Sequence, residues 1–412
     1  MKARLGTMMF LQYAIWGSWA PVLSAYLLED LQFTGFQVGA IYSVLPLATI
    51  VAPFLGGQLA DRWVASEKLI AFLQFTGGIL LLIMSQATDY PVMLGLMFVY
   101  CLLYAPTLAI TNSIAMINLG DSEEEFGGIR VWGTLGWIAA GWLLTAWRSV
   151  GESLMFRGDT LMLAGIFSVI MGIQALILPH TPPKKEGVNP LAFLEALRML
   201  KDKNFLIFMG ITFVVATELE FYYILTAPFL RSEGIGLSDK VVPAVMTIAQ
   251  IAEIFVMAYL LSRFLKKYGM RTTLAFGVLA WPLRYIIFAI GRPAWLVIAS
   301  LTLHGFCYVF FFVAAFIYVD KEAPRDIRAS AQSLIAIVAL GLGRFLGSLF
   351  AGQIQTLFTD ASGVTNWTNT FIVPCVLTIL SAAAFLVFFR EEKKPLAVAV
   401  GADAPEDAGS SG

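Results

Sequence analysis

Long apolar stretches alternate with short polar breaks along the whole chain. Twelve stretches are long enough to cross about 30 Å of hydrocarbon, at roughly 20 residues each. They fall at 7–28, 36–60, 69–87, 91–118, 127–147, 159–178, 205–230, 241–262, 272–290, 294–318, 328–357 and 366–389. A membrane barrel would show alternating segments of about ten residues, so the pattern predicts helices. Runs 4 and 11 are long enough to tilt or bend. The fifth stretch carries a feature of its own. In "EEEFGGIRVWGTLGWIAAGWLL" (123–144), no charge follows Arg130 until Arg148, and Thr134 and Trp137 succeed the arginine at helical spacing.

The breaks assign an orientation. With both termini in the cytoplasm, the cytoplasmic ends hold 19 Lys and Arg and the opposite loops hold 5. Such an excess marks the cytoplasmic side, and carboxylates such as those in the 121–125 loop weigh little in the rule. The longest polar connection, 180–204, splits the chain six and six, and its amphipathic middle is suited to the membrane surface. The predicted organisation is an N-terminal six-helix bundle over 1–179, a cytoplasmic linker over 180–204, a C-terminal six-helix bundle over 205–390 and a disordered cytoplasmic tail over 391–412. Two short matches support a duplication. "ADRW" (60–63) pairs with "SRFL" (262–265), and "GGIR" (127–130) with "RDIR" (325–328); the offset is 201 for Arg62 and Arg263 and 198 for Arg130 and Arg328.

Composition agrees with a bilayer as solvent. Hydrophobic residues make up 58% of the 412 and charged residues 13%, about half the usual charged share of a soluble protein. A net charge of −1 gives no footprint for nucleic acid. Cys101, Cys307 and Cys375 lie in apolar runs without paired spacing, which suggests neither a disulfide framework nor a zinc site. The N-terminal run lacks a small-residue cleavage site and reads as the first span rather than a secretory signal. No phosphate loop, HExxH or GxSxG motif is present, so nothing supports an enzyme, and no cofactor or metal is implied.

A charge at mid-helix costs roughly 2.5–3.5 kcal/mol on insertion scales and needs a reason. Glu218, Glu220, Glu253, Arg284, His304 and Arg344 lie inside spans, with Arg130 near an edge. From about 1.5 Å of rise per residue, Glu220, Glu253 and His304 fall near the midplane, where carriers bind substrate. At about 100° per residue, Glu220 shares a face with Tyr223, Glu253 with Gln250, and His304 with Tyr308; Arg130, Thr134 and Trp137 form one stripe. Glu218 points away from Glu220 and reads as structural, while Arg284 and Arg344 read as partners for carboxylates or carbonyls. Snorkelling to the interface accounts for Arg130 equally well. Gly35/Gly39 and Gly343/Gly347 are close-packing pairs.

Several segments resemble known proteins. "GGQLADRW" (56–63) resembles the loop motif between helices two and three of the major facilitator superfamily. "FLQYAIWGSW" (10–19), "YAPTLAITNSI" (104–114), "IRVWGTLGW" (129–137), "TELE" (217–220), "QIAE" (250–253) and "IRASAQ" (327–332) resemble the nucleoside:proton symporter family within it. The resemblance implies an all-α membrane protein, twelve transmembrane helices in two pseudo-symmetric six-helix bundles, with nucleoside bound between them and a proton as coupling ion. It implies substrate contacts at Arg130, Thr134, Trp137, Glu220, Tyr223, Gln250, Glu253, His304 and Tyr308, and a gate motif at Asp61 and Arg62. Arg130, Thr134, Gln250 and Glu253 match the family's pattern. Trp137 and Tyr308 stand where phenylalanine is usual, His304 where tyrosine is, and Glu220 and Tyr223 where a nucleoside carrier has glutamine and asparagine. Val309 replaces an aspartate connected with coupling.

The expected activity is proton-coupled nucleoside uptake across the cytoplasmic membrane by a monomer working through alternating access. Trp137 and Tyr308 offer faces for a base, Glu220 an acceptor for donors on the substrate, and Glu253 with Glu220 the proton sites. A carrier of another small polar solute (a sugar or a modified nucleoside) and a non-transporting membrane receptor are the alternatives. The receptor leaves the internal repeat without explanation.

Overall fold

A computed structural model describes residues 1–52, 64–119, 123–150, 158–183, 191 and 193–390. The Asp61–Arg62 motif, the middle of the linker and the tail lie outside them. Among the described residues the chain forms twelve long helices: α1 (Lys2–Trp19, extended by turns to Asp30), α2 (from Gly35), α3 (Ser66–Met84), α4 (Tyr90–Leu119), α5 (Glu123–Ser149), α6 (Asp159–Ala175), α7 (Lys203–Arg231), α8 (242–268), α9 (270–290), α10 (Ala294–Glu322), α11 (Arg325–Leu357) and α12 (Trp367–Phe388). Eight helical stretches, one of them running through α8 and α9, are long and apolar enough to cross a membrane by length and composition. Helices α1, α5 and α6 fall outside that set: α6 has 17 residues, and α1 and α5, which line the site described below, are rich in glycine, tryptophan and polar residues. Large apolar side chains such as Phe72, Ile173, Phe255 and Leu380 are exposed on the outer faces, as a lipid solvent allows.

The loop expected between the eighth and ninth spans is mostly helix. Helix α8 runs on past Leu261, and the chain reverses at Gly269, whose φ of 79° is a conformation that a side chain would strain. Within the first six helices, a buried polar chain ties α1, α3, α4 and α6. Gln12 donates to Thr107 at 2.8 Å, Gln74 donates to Gln12 at 2.8 Å, and Ser168 donates to Gln74 at 2.8 Å. Such bonds act as glue where lipid supplies no hydrophobic drive.

Contacts between the two halves close the end of the bundle remote from the termini. A Cβ on Gly39 would sit 2.4 Å from the Ser348 carbonyl oxygen, and one on Gly35 2.5 Å from that of Gly352, so α2 and α11 touch backbone to backbone. Trp142 donates to Thr247 at 3.2 Å, and the Ala244 amide donates to Thr145 at 3.0 Å, joining α5 to α8. A chain of charges crosses the same end: Asp159–Arg148 (2.7 Å), Arg148–Asp239 (2.7 Å), Asp239–Arg231 (3.2 Å) and Arg231–Glu29 (3.0 Å). The first two residues and the last belong to the N-terminal half, the others to the C-terminal half. At the opposite end Lys2 pairs with Glu125 and Glu67 with His180 inside the first half, and Arg198 of the linker pairs with Asp326 of the second.

Arg148 and Asp159 are 6% and 5% exposed, so removing one strands the other. Arg148→Met is expected to cost this arrangement about 3–5 kcal/mol, the usual consequence of an orphaned buried charge. The check is thermal unfolding in detergent, where the midpoint falls. An unchanged midpoint would show that the network contributes nothing.

Candidate functional site

Glycines on α1 and α5 set the first wall. A Cβ on Gly17 would meet the Trp137 Cα at 2.7 Å, and one on Gly136 would meet the Phe10 carbonyl oxygen at 2.0 Å. Their absence of side chains lets α5 lie flat on α1 and turn the Arg130–Thr134–Trp137 stripe toward the second half. The Arg130 guanidinium lies 4.1 Å from the centroid of the Tyr13 ring. Thr134 is part-exposed. The Trp137 ring meets Trp16 edge to face at 5.4 Å and reaches across to Tyr223 of α7 at 6.3 Å. The N-terminal stripe and the α7 face therefore meet at one level.

The second wall is built by α7, α8, α10 and α11. Glu220 is 1% exposed, and both of its oxygens are engaged: Oε1 takes the Arg344 Nε at 2.5 Å and Oε2 takes the Ser348 hydroxyl at 3.0 Å. The Arg344 guanidinium lies 5.1 Å from the Tyr223 ring and 5.7 Å from the Trp16 ring of the other half. Glu253 is part-exposed and has no hydrogen-bond or ion-pair partner among the described residues. Arg130 acts on it electrostatically across the boundary. Gln250 is 6% exposed, and its Oε1 has no hydrogen-bond partner among the described residues. A buried acceptor left open in a wall of this kind is suited to a ligand donor.

His304 lies one layer back. It is fully buried, stacked on Tyr222 at 4.4 Å, and its Nδ1 accepts from Arg284 at 3.1 Å. That bond requires the lone pair on Nδ1 and fixes a neutral ring. Tyr308 stacks on the outer side of His304 at 5.7 Å and keeps part of its surface. Arg284 departs from its expected pairing with a carboxylate or carbonyl. Its guanidinium sits over Tyr222, Trp281 and Tyr285 at 4.6, 4.6 and 5.2 Å, and ring faces supply the compensating negative potential. Arg344 does pair with a carboxylate. Glu218 faces α12, where Ser381 lies 3.4 Å away, and takes no part in the wall. Val309 is buried.

Wide helical turns stand beside three of these residues: Val256–Leu261 follows Glu253, Tyr308–Val313 begins at Tyr308, and Ile337–Gly343 precedes Arg344. Such turns concentrate at working sites because they re-aim side chains at the expense of regular hydrogen bonds. Trp16, Tyr13 and Arg344 join the site without having been assigned to it from the sequence. The spacing of Tyr13 and Trp16 on one helix face was a readable signal; nothing in α11 taken alone pointed Arg344 at α1.

Comparison with known proteins now decides the family. Residues 1–394 match the Nucleoside H+ symporter family. The chain belongs to this family. It is therefore a multi-pass membrane transporter rather than an enzyme. The chain is 35% identical to the putative nucleoside transporter YegT of Escherichia coli K12 over 405 residues, covering 94% of each chain. It is 30% identical to the xanthosine permease of the same organism over 411 residues, covering 95% of this chain and 96% of that one. The crystal structure of the nucleoside transporter NupG superposes with a TM-score of 0.84 at 28% identity, covering 95% of this chain and 99% of that one. Sequence and structure thus agree on the fold, an all-α membrane protein of twelve helices.

Proposed function

We propose that the chain carries a nucleoside together with a proton across the cytoplasmic membrane, and that the site between the halves holds both. The observation that carries this reading is the meeting of Trp137, Tyr223 and Trp16 with Arg344 at one level of the bundle. A nucleoside asks for apolar faces for the base and a few fixed polar groups for its edge and sugar. The lysine and arginine excess supports cytoplasmic termini. With that orientation the end at which α2 meets α11 and α5 meets α8 faces outward.

Glu253 is assigned the proton, being a carboxylate in the wall with no partner to hold its charge. Arg130, Thr134 and Gln250 address the substrate's polar edge or sugar, and Trp137 and Tyr308 its base. Glu220 and His304 act from behind the surface. The deciding measurement is uptake of labelled uridine and adenosine into proteoliposomes under an imposed pH gradient, with counterflow against a panel of nucleosides, bases and sugars. Concentrative uptake of a nucleoside is expected. Counterflow with sugars alone would sink the nucleoside assignment, and binding without flux would favour a receptor. Trp137→Ala is expected to weaken apparent affinity by about 5–150-fold, the worth of about 1–3 kcal/mol of base stacking. Competition by unlabelled nucleoside reads that change.

A further inference from the structure

Glu220 was expected to accept hydrogen bonds from the substrate. Its surroundings leave it no means to do so: one oxygen is bound by Arg344, the other by Ser348, and 1% of the residue is exposed. What the pair offers the site is the rest of Arg344. Glu220 accepts the hydrogen bond from the Nε–H, which orients the guanidinium. The Tyr223 ring at 5.1 Å and the Trp16 ring at 5.7 Å lie against it, one from each half. The two terminal nitrogens make no hydrogen bond among the described residues, and the side chain keeps 14% of its surface. Helix α11 widens over Ile337–Gly343, immediately before the arginine, which lets it leave the helix toward the boundary.

A guanidinium held in this way is a twin donor with no acceptor. Its two parallel N–H groups match two acceptors side by side and reject an amino group at either place. On a purine nucleoside those acceptors are O6 and N7, present on a 6-oxopurine; a 6-aminopurine replaces O6 with a donor. We propose that Arg344, oriented by Glu220, is the specificity-determining residue of the site and selects 6-oxopurine nucleosides over 6-aminopurine nucleosides. The inference rests on the reading of the site as a nucleoside site. Within that reading it reverses the expectation that a glutamate at 220 favours substrates that donate.

Inosine and adenosine differ at this edge, and their ratio as competitors tests the proposal. In proteoliposomes carrying the native chain, inosine is expected to compete at least about tenfold better than adenosine for entry of either labelled nucleoside. Glu220→Gln with Arg344→Gln removes the pair without changing net charge and is expected to bring the ratio close to one. Arg344→Lys keeps the charge but loses the fork and the Nε anchor, and is expected to lose most of the preference as well. A ratio taken within one preparation is independent of how much protein folds. Competition for binding to solubilised protein gives the same ratio if a variant no longer turns over. A native ratio near one, or a preference that survives in both variants, overturns the role of Arg344 while leaving nucleoside transport standing. Failure of every nucleoside to enter or compete overturns the nucleoside reading itself and this inference with it.

Discussion

Glu253→Gln is expected to abolish accumulation of nucleoside under a pH gradient while leaving counterflow exchange in place. Glu253 stands in the wall of the site with no hydrogen-bond or ion-pair partner among the described residues, and Arg130 acts on it only from across the boundary. A bare carboxylate in such a wall costs several kcal/mol to enclose, whereas its protonated form carries no charge to enclose. A cleft that has to close at one end before it opens at the other therefore moves most readily with the proton on, and the proton travels with the closure. Glutamine has nearly the same shape and is permanently neutral. It lets the halves move but carries nothing. One unit of pH difference amounts to about 1.4 kcal/mol, so a one-to-one carrier under that gradient alone concentrates substrate about tenfold. The native chain is expected to approach that ratio, and the variant to stop near equal concentrations on both sides. If vesicles with Glu253→Gln still concentrate substrate, the proton is carried elsewhere. Glu220 is then a poor substitute, since Arg344 and Ser348 already hold its charge.

The membrane imposes one simple rule on the chain, and that rule made the fold readable. Every backbone group in hydrocarbon has to be bonded within its own helix, so each span is a long apolar run with polar ends. The exception is the turn at Gly269, where residues with the polarity of a loop continue α8 instead; charged side chains at a membrane surface are compatible with either. Within a helix, periodicity also worked. It turned Glu218 away from Glu220, as the structure has them. Register between helices is what periodicity does not contain. Glu220 and Arg344 are 124 positions apart, and nothing in either segment says that one faces the other. The same gap hid the aromatic cage around Arg284 and the chain of charges from Asp159 to Glu29. In the sequence Arg148 and Arg231 are ordinary loop cations; only the docking of the halves turns them into a lock.

Gly39→Val is expected to shift the resting population away from the state described and to depress net uptake strongly. Gly39 faces the Ser348 carbonyl oxygen so closely that a Cβ would stand 2.4 Å from it and 3.1 Å from the Gly352 Cα. Both neighbours are backbone and cannot swing aside. A valine therefore separates α2 from α11, and with them the two halves at the end remote from the termini. Overpacking of this kind costs about 1–3 kcal/mol, and here the cost falls on one conformation only. A carrier whose two states lie close in energy would change its ratio of populations about 5–150-fold, enough to leave few molecules able to expose the site to the terminal side. The separation is directly visible at Thr247, which is 2% exposed and is clasped between α5 and α8 at the same end. A cysteine introduced there is shielded while the halves are docked, and the native cysteines are themselves buried. Labelling of Thr247→Cys by a membrane-impermeant thiol reagent is expected to be slow in the otherwise native chain and much faster when Gly39→Val is added. Equal rates would mean that the α2–α11 contact does not hold the end shut, and the burden would pass to the charges between Asp159 and Glu29.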